Sequence, residues 1–171
     1  KKNLIVKKKY WDSIKSYIQA KGKEFKGTFE EAKEKVKSQI DKSTKERLIS
    51  DVPLGIFLSG GIDSSNLALS LNRQNITANT FSIGFYDRQT NELDFANKVA
   101  NVLQTNHSYK YINEQECIDN IEGIVDAYDE PFSDPSQIPT YMLCKFVKKK
   151  ITVAISGEGA DELFGGYPRY I

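Results

Sequence analysis

From residue 51 onward the chain repeats one pattern, a short apolar run, a polar or glycine loop and an amphipathic segment, and this alternation constrains the fold more than any other feature. Leu54 to Leu58 reads as a strand ending in Ser59-Gly60-Gly61, and a helix is predicted from about Ser64 to Asn72. Ala78 to Phe85 reads as a second strand, Glu92 to Leu103 as a helix and His107 to Ile112 as a third strand. Asn113 to Glu116 then caps one helix whose inner face carries Cys117, Ile121, Ile124 and Val125. Ile138 to Val147 is predicted helical and Ile151 to Ile155 a last buried strand. Strands that alternate with helices build a parallel sheet wrapped by helices. Ligands of such α/β sheets bind beyond the carboxyl ends of the strands, where strand order reverses. Two strands here end in Ser-Gly, at Ser59-Gly60 and Ser156-Gly157, and the chemistry is expected there.

Residues 1 to 50 differ in character. They carry 15 basic and 7 acidic side chains, a balance of +8, whereas residues 51 to 171 carry 9 and 16, a balance of −7. The first stretch, through Gly22 and Gly27, reads as a linker or frayed end. Thr28-Phe29-Glu30-Glu31 is a capping box, and Phe29, Ala32, Val36 and Ile40 recur at helical spacing, so a helix with a wet lysine face follows. Acids interleave with the lysines and no basic aromatic platform is present, which argues against a nucleic-acid arm.

With 39% apolar residues the chain can bury a core, and its 171 residues fit one domain of about 100 to 200. No apolar run approaches the roughly 18 to 20 residues of a membrane-spanning helix, so a soluble protein is expected, with no membrane partner. Cys117 and Cys144 form no CxxC pair, and a single histidine, His107, cannot complete a four-ligand zinc site. Both thiols are expected to be small buried hydrophobes in a reducing cytoplasm.

The loop Ser59 to Ser65 turns from a strand through two glycines into a helix. Its backbone N–H groups and the helix dipole then face one concavity, and hydroxyls at 59, 64 and 65 add donors. This is a phosphate cradle, yet Asp63 would repel a bare phosphate, which calls for Mg²⁺ with a polyphosphate. No lysine follows the glycines as a Walker loop requires, and Glu162 stands where a dinucleotide fingerprint after Gly157 and Gly159 needs its third glycine. A nucleophilic Ser64 lacks a nearby histidine base. The alternative is a plain tight turn with Asp63 or Ser64 as helix cap. The second loop, Ser156 to Tyr167, places Glu158, Asp161 and Glu162 beside four glycines, more acids than one helix cap needs. Asp161 can share a metal with Asp63, while Glu158 is free to act as a base.

These segments carry a resemblance. Ser59-Gly60-Gly61-Ile62-Asp63-Ser64 resembles the SGGxDS loop of the PP-loop ATP pyrophosphatases. With Arg47 to Pro53 before it and Ser156 to Tyr167 after it, the chain from about Tyr10 onward resembles the synthetase domain of the glutamine-dependent asparagine synthetase family. The resemblance implies a Rossmann-like adenine nucleotide alpha hydrolase fold. It implies that Ser59, Gly60, Gly61, Ser64 and Ser65 cradle pyrophosphate, and that Asp63 and Asp161 hold Mg²⁺. Leu58, Ser82, Ile83, Gly84, Ser156 and Gly157 then lie around the nucleotide, Glu158 is the catalytic glutamate, and Asp129 to Pro131 with Asp134 to Thr140 lie beside the substrate pocket. The implied substrates are ATP, aspartate or a related carboxylate, and ammonia, with an acyl adenylate as intermediate and AMP and pyrophosphate as products. Related amidotransferases of surface-polysaccharide sugar acids, β-lactam cyclases and tRNA-modifying PP-loop enzymes are the alternatives. The family pairs this domain with a glutaminase domain and has a further catalytic lysine downstream. Residues 1–50 are accordingly expected to be a basic interdomain connector with its helix, and 51–171 the N-terminal part of a synthetase domain truncated at its C-terminus and inactive alone.

Overall fold

The computed structural model describes residues 6–86, 91–131 and 133–168. The chain divides into two compact units, residues 1–37 and 38–171.

The first unit contains a helix where the composition predicts a linker. α1 (Ser13–Ala20) starts because the Asp12 carboxylate accepts the Lys15 N–H at 3.0 Å, and Ile14, Tyr17 and Ile18 follow at helical spacing. None of its residues is buried, which is why composition alone gave no sign of it. α2 (Phe29–Arg47) begins in this unit with the expected capping box. Thr28 N–H donates to the Glu31 carboxylate at 2.7 Å and Glu31 N–H donates to Thr28 Oγ1 at 3.3 Å. Its first apolar residues are not buried, Phe29 being 76% exposed.

The second unit takes up the end of α2. Arg73 binds the Asp41 carboxylate through two nitrogens, Thr44 is buried, and Leu48 packs on Ile56, Leu71 and Ala78. Four strands follow in the alternation expected: β1 (Leu54–Phe57), β2 (Asn79–Phe85), β3 (Asn106–Ile112) and β4 (Val153–Ile155). All pairs are parallel and the order is β3-β2-β1-β4. The connections are α3 (Ile62–Arg73), α4 (Leu93–Leu103), α5 (Glu114–Ile118), α6 (Ile121–Ala127) and α7 (Gln137–Val147), and α8 (Ala160–Phe164) follows β4.

The sheet's two faces follow from strand periodicity. Leu58, with Ala68, Leu93, Ala96 and Ala100, forms one core cluster under α3 and α4, while Phe57 turns the other way to pack with Phe81, Leu143, Val147 and Ile151 under α7. Helices on both faces of a parallel sheet confirm the expected α/β class. Among the described residues no helix is long and apolar enough to cross a membrane.

Three further expectations are corrected. The predicted single helix after Asn113 is two, because the Asn120 amide donates to the Glu116 carbonyl at 2.6 Å and interrupts the helix there; only Ile124 of the predicted inner face is buried. The last strand is not buried: β4 pairs with β1 alone among the described strands, and Val153 is 38% exposed. Of the cysteines, Cys117 is half-buried and Cys144 exposed. Cys144 lies about 200° round α7 from the buried Met142, so it faces outward.

Candidate functional site

The strand order places the reversal at the boundary between β1 and β4. The chain moves from β1 outward through β2 to β3, then crosses back to lay β4 on the opposite edge of β1. The loops after β1 and β4 are therefore neighbours at the carboxyl ends of the strands. Their approach is close: a Cβ added to Gly157 would lie 2.9 Å from Asp63 Cβ and 3.1 Å from Ser64 N.

The first loop holds itself together with its own hydroxyls. Ser64 Oγ accepts the Ser59 N–H at 3.2 Å, lies 3.0 Å from Ser59 Oγ and donates to the Gly61 carbonyl at 3.3 Å. Ser59 Oγ accepts the Gly61 N–H at 3.2 Å. The helix cap is Gly61 and no side chain caps it, which disposes of Asp63 or Ser64 as a mere N-cap. The N–H groups of Ile62, Asp63 and Ser64 have no protein acceptor among the described residues, so they remain available to an anion. Gly60 has φ +84 and its Cα abuts the backbone of Phe95 and Ala96, which shows why this position is glycine.

The second loop enters α8 through Gly159, φ +89, again with no side-chain cap. None of the three acids is consumed as a cap. Glu162 accepts the Tyr167 hydroxyl at 2.9 Å, away from the other two. Burial, and then the charge of Asp161, push the Asp63 carboxyl above its ordinary range. Asp63 on the first loop thus feels the charge of Asp161 on the second.

Between the loops lies a cavity of about 420 Å³. Its walls include Leu58, Ser59, Gly61, Asp63 and Ser64 from the first loop and Ser156, Gly157, Glu158 and Asp161 from the second. Ser82 and Ile83 at the end of β2 line it too, and the buried Ser82 hydroxyl donates to the Leu58 carbonyl. Three of the sequence-predicted residues stand elsewhere. Gly60 shapes the loop from behind. Gly84 lies beneath Asn91 and Leu93, where a Cβ would approach them to 2.7 and 2.8 Å. Ser65 diverges from Ser64: one residue turns a helix by about 100°, so its side chain joins Ile62, Leu69 and Val102 on the outer side of α3, and its buried Oγ has no hydrogen-bond partner among the described residues. The cavity also contains Thr140 and Tyr167, the ends of two segments the sequence singled out, and residues that no sequence motif marks, Glu92, Phe85 and Leu143 among them.

The cavity's charge is one-sided. Asp63, Glu92, Glu158 and Asp161 line it, and no lysine, arginine or histidine does so among the described residues. Such a lining repels a bare polyphosphate. Asp63 and Asp161 fit Mg²⁺, which takes one or two carboxylates and completes its shell with phosphate oxygens and water; no group of three or more metal-ligating side chains exists among the described residues. His107 sits at the other end of the sheet with Nδ1 2.9 Å from Thr80 Oγ1, so Ser64 has no histidine base.

Comparison with known proteins agrees with this arrangement. A solved structure of NMN synthetase from Francisella tularensis superposes with a TM-score of 0.50 at 17% identity, over 82% of this chain and 59% of that one. The fold is that of the PP-loop adenine nucleotide alpha hydrolases. The glutamine-hydrolysing asparagine synthetase 1 of Bacillus subtilis is 39% identical over 158 residues, 92% of this chain and 25% of that protein. The glutamine-hydrolysing asparagine synthetase 2 of Oryza sativa subsp. japonica is 34% identical over 146 residues, 77% of this chain and 24% of that protein. The chain spans about a quarter of the length of these relatives. A profile described as asparagine synthase matches residues 35–171, and with that match over most of its length the chain belongs to the asparagine synthase family.

Proposed function

We propose that residues 51–171 form the first part of an ATP-dependent synthetase domain that makes asparagine, and that residues 1–50 connect it to a glutaminase domain in a cytoplasmic protein. The observation that carries this reading is the meeting of the two strand-end loops. It brings Asp63 and Asp161 together in one cavity, beside the free N–H groups of α3 and the Ser59 and Ser64 hydroxyls.

In this reading the phosphates of ATP lie on the α3 N-terminus. The N–H groups of Ile62 to Ser64 and the Ser59 hydroxyl donate to their oxygens, the Ser64 hydroxyl turns from the Gly61 carbonyl to join them, and Asp63 and Asp161 would hold Mg²⁺. Bound there, Mg²⁺ neutralises negative charge on the departing pyrophosphate. Leu58 and Ile83 supply apolar surface for the base, with Ser156 and Gly157 at its edge. An oxygen of the aspartate side-chain carboxylate attacks the α-phosphorus, the bond to the β-phosphate oxygen breaks, and pyrophosphate leaves an acyl adenylate. Ammonia then attacks the activated carbonyl, AMP departs and Glu158 accepts a proton from the incoming nitrogen. Each well-placed donor to developing charge contributes about 3 to 4 kcal/mol in sites of this kind.

Exchange of labelled pyrophosphate into ATP by the full-length protein that carries these residues tests the substrate. Exchange that requires aspartate is the expected result. Exchange driven by a sugar acid or another carboxylate, with aspartate inert, would reassign the substrate, and exchange that needs no carboxylate at all would refute the adenylation step.

A further inference from the structure

Among the residues that line the cavity, Glu92 is the carboxylate that belongs to neither strand-end loop. Its backbone is fixed, since its carbonyl accepts from the N–H groups of Phe95 at 3.0 Å and Ala96 at 3.1 Å, and its neighbour Leu93 is fully buried. Its side chain, by contrast, does nothing for the fold. The first turn of α4 is closed by Asn91, whose Oδ1 accepts the Leu93 N–H at 3.1 Å, and Glu92 makes no side-chain cap. Its carboxylate has no hydrogen bond or ion pair among the described residues.

An acid with no partner among the described residues, in an already acidic anion site, must meet a part of the ligand that is neutral and carries donors, because facing the phosphates it would repel them. The free N–H groups and the Asp63, Asp161 pair that suit phosphate lie on the β1 and β4 loops, and Glu92 stands at the start of α4, the helix that follows β2, whose end contributes Ser82, Ile83 and Phe85 to the cavity. In Rossmann-type sites a carboxylate beyond the second strand accepts hydrogen bonds from ribose hydroxyls. The rest of that wall is mainly apolar, which fits a base and offers a hydroxyl pair no other acid. We propose that Glu92 determines specificity for the ribose of the nucleotide by accepting hydrogen bonds from its 2′- and 3′-hydroxyls. This assignment rests on the ATP reading above.

Binding of the magnesium complexes of ATP, 2′,3′-dideoxy-ATP and inosine triphosphate is measured by calorimetry on the full chain and on Glu92→Ala, with Glu92→Gln as a second variant. The wild-type chain is expected to bind ATP about ten- to a hundredfold more tightly than dideoxy-ATP. Glu92→Ala is expected to lose that factor for ATP and inosine triphosphate while leaving dideoxy-ATP unchanged, so that the hydroxyls no longer matter. Equal weakening of all three nucleotides, or none, overturns the assignment, as does a variant that loses only the preference for adenine. A folded wild-type chain that binds no nucleotide removes the ATP reading itself, whereas wild-type discrimination that survives in both variants removes Glu92 alone.

Discussion

Asp63→Ala is expected to reduce pyrophosphate release by roughly a thousandfold without weakening the fold. The first half follows from where Asp63 sits, opposite Asp161 in a cavity with no basic lining residue among those described. In the proposed reading the site without it keeps its N–H donors but loses one of the two carboxylates that would hold the cation. The second half follows from electrostatics. Burial and the Asp161 charge raise the Asp63 carboxyl above its unfolded value, so the native state holds that proton more tightly than the unfolded chain does. The resulting penalty is absent in strong acid, where both states are protonated, sets in as pH rises through the acid range, and is complete above the raised value. At neutral pH and without added metal, ionised Asp63 therefore costs stability. Thermal unfolding of metal-free Asp63→Ala is expected to show a Tm equal to or above that of the wild type, alongside the lost turnover. Wild-type turnover would contradict the role of Asp63 in holding the cation, and a fall in Tm would mark it as a structural residue.

Gly60→Ala is expected to cost about 2 to 5 kcal/mol of folding stability and, with it, nucleotide binding. The position needs φ +84, and a Cβ there would overlap Ala96 N and lie 2.6 Å from the Phe95 carbonyl carbon. Backbone cannot rotate out of the way as a side-chain tip can, so either α4 moves or the loop does. Both outcomes displace the α3 N-terminus from the wall that Leu93 and Ala96 provide. Gly61→Ala is the control. Its backbone is extended, at φ −67 and ψ 167, and an added Cβ would meet only Ser59 Oγ, at 3.2 Å, so a loss below about 1 kcal/mol is expected. Equilibrium urea unfolding separates the two. Gly60→Ala as stable as Gly61→Ala would show that the approach of α4 does not hold the loop.

The features legible in the sequence were those with local causes. An apolar run that breaks into Ser-Gly-Gly and then a helix announces its turn and its orphan N–H groups without reference to the rest of the chain, and the acids after Ser156 did the same. That the two loops meet was legible only through the alternation of strands and helices, which fixes parallel pairing but leaves strand order open. Strand order is what exposes β4, since an apolar strand reads alike at the centre or the edge of a sheet. The divergence of Ser64 and Ser65 was illegible for a different reason: adjacent serines look equivalent in a motif, while helical geometry sends them to different faces. Asn120 broke a helix that hydrophobic spacing carried across it, by a side-chain bond no periodicity reveals. Glu92 stands in a polar stretch with no motif, and only the packing of α4 against β2 brings it to the cavity. The signal that marks it is positional, an acid at the start of the helix after the second strand.

If the cavity between the two strand-end loops directs cleavage between the α- and β-phosphates, the products of turnover must show it. The full-length protein that carries these residues is incubated with ATP, Mg²⁺, aspartate and ammonia, and the products are resolved by ion-exchange chromatography. AMP and pyrophosphate formed in equal amounts, with asparagine, is the result expected. ADP and inorganic phosphate would place the break at the γ-phosphate and contradict the proposed roles of Asp63, Asp161 and the loops that carry them.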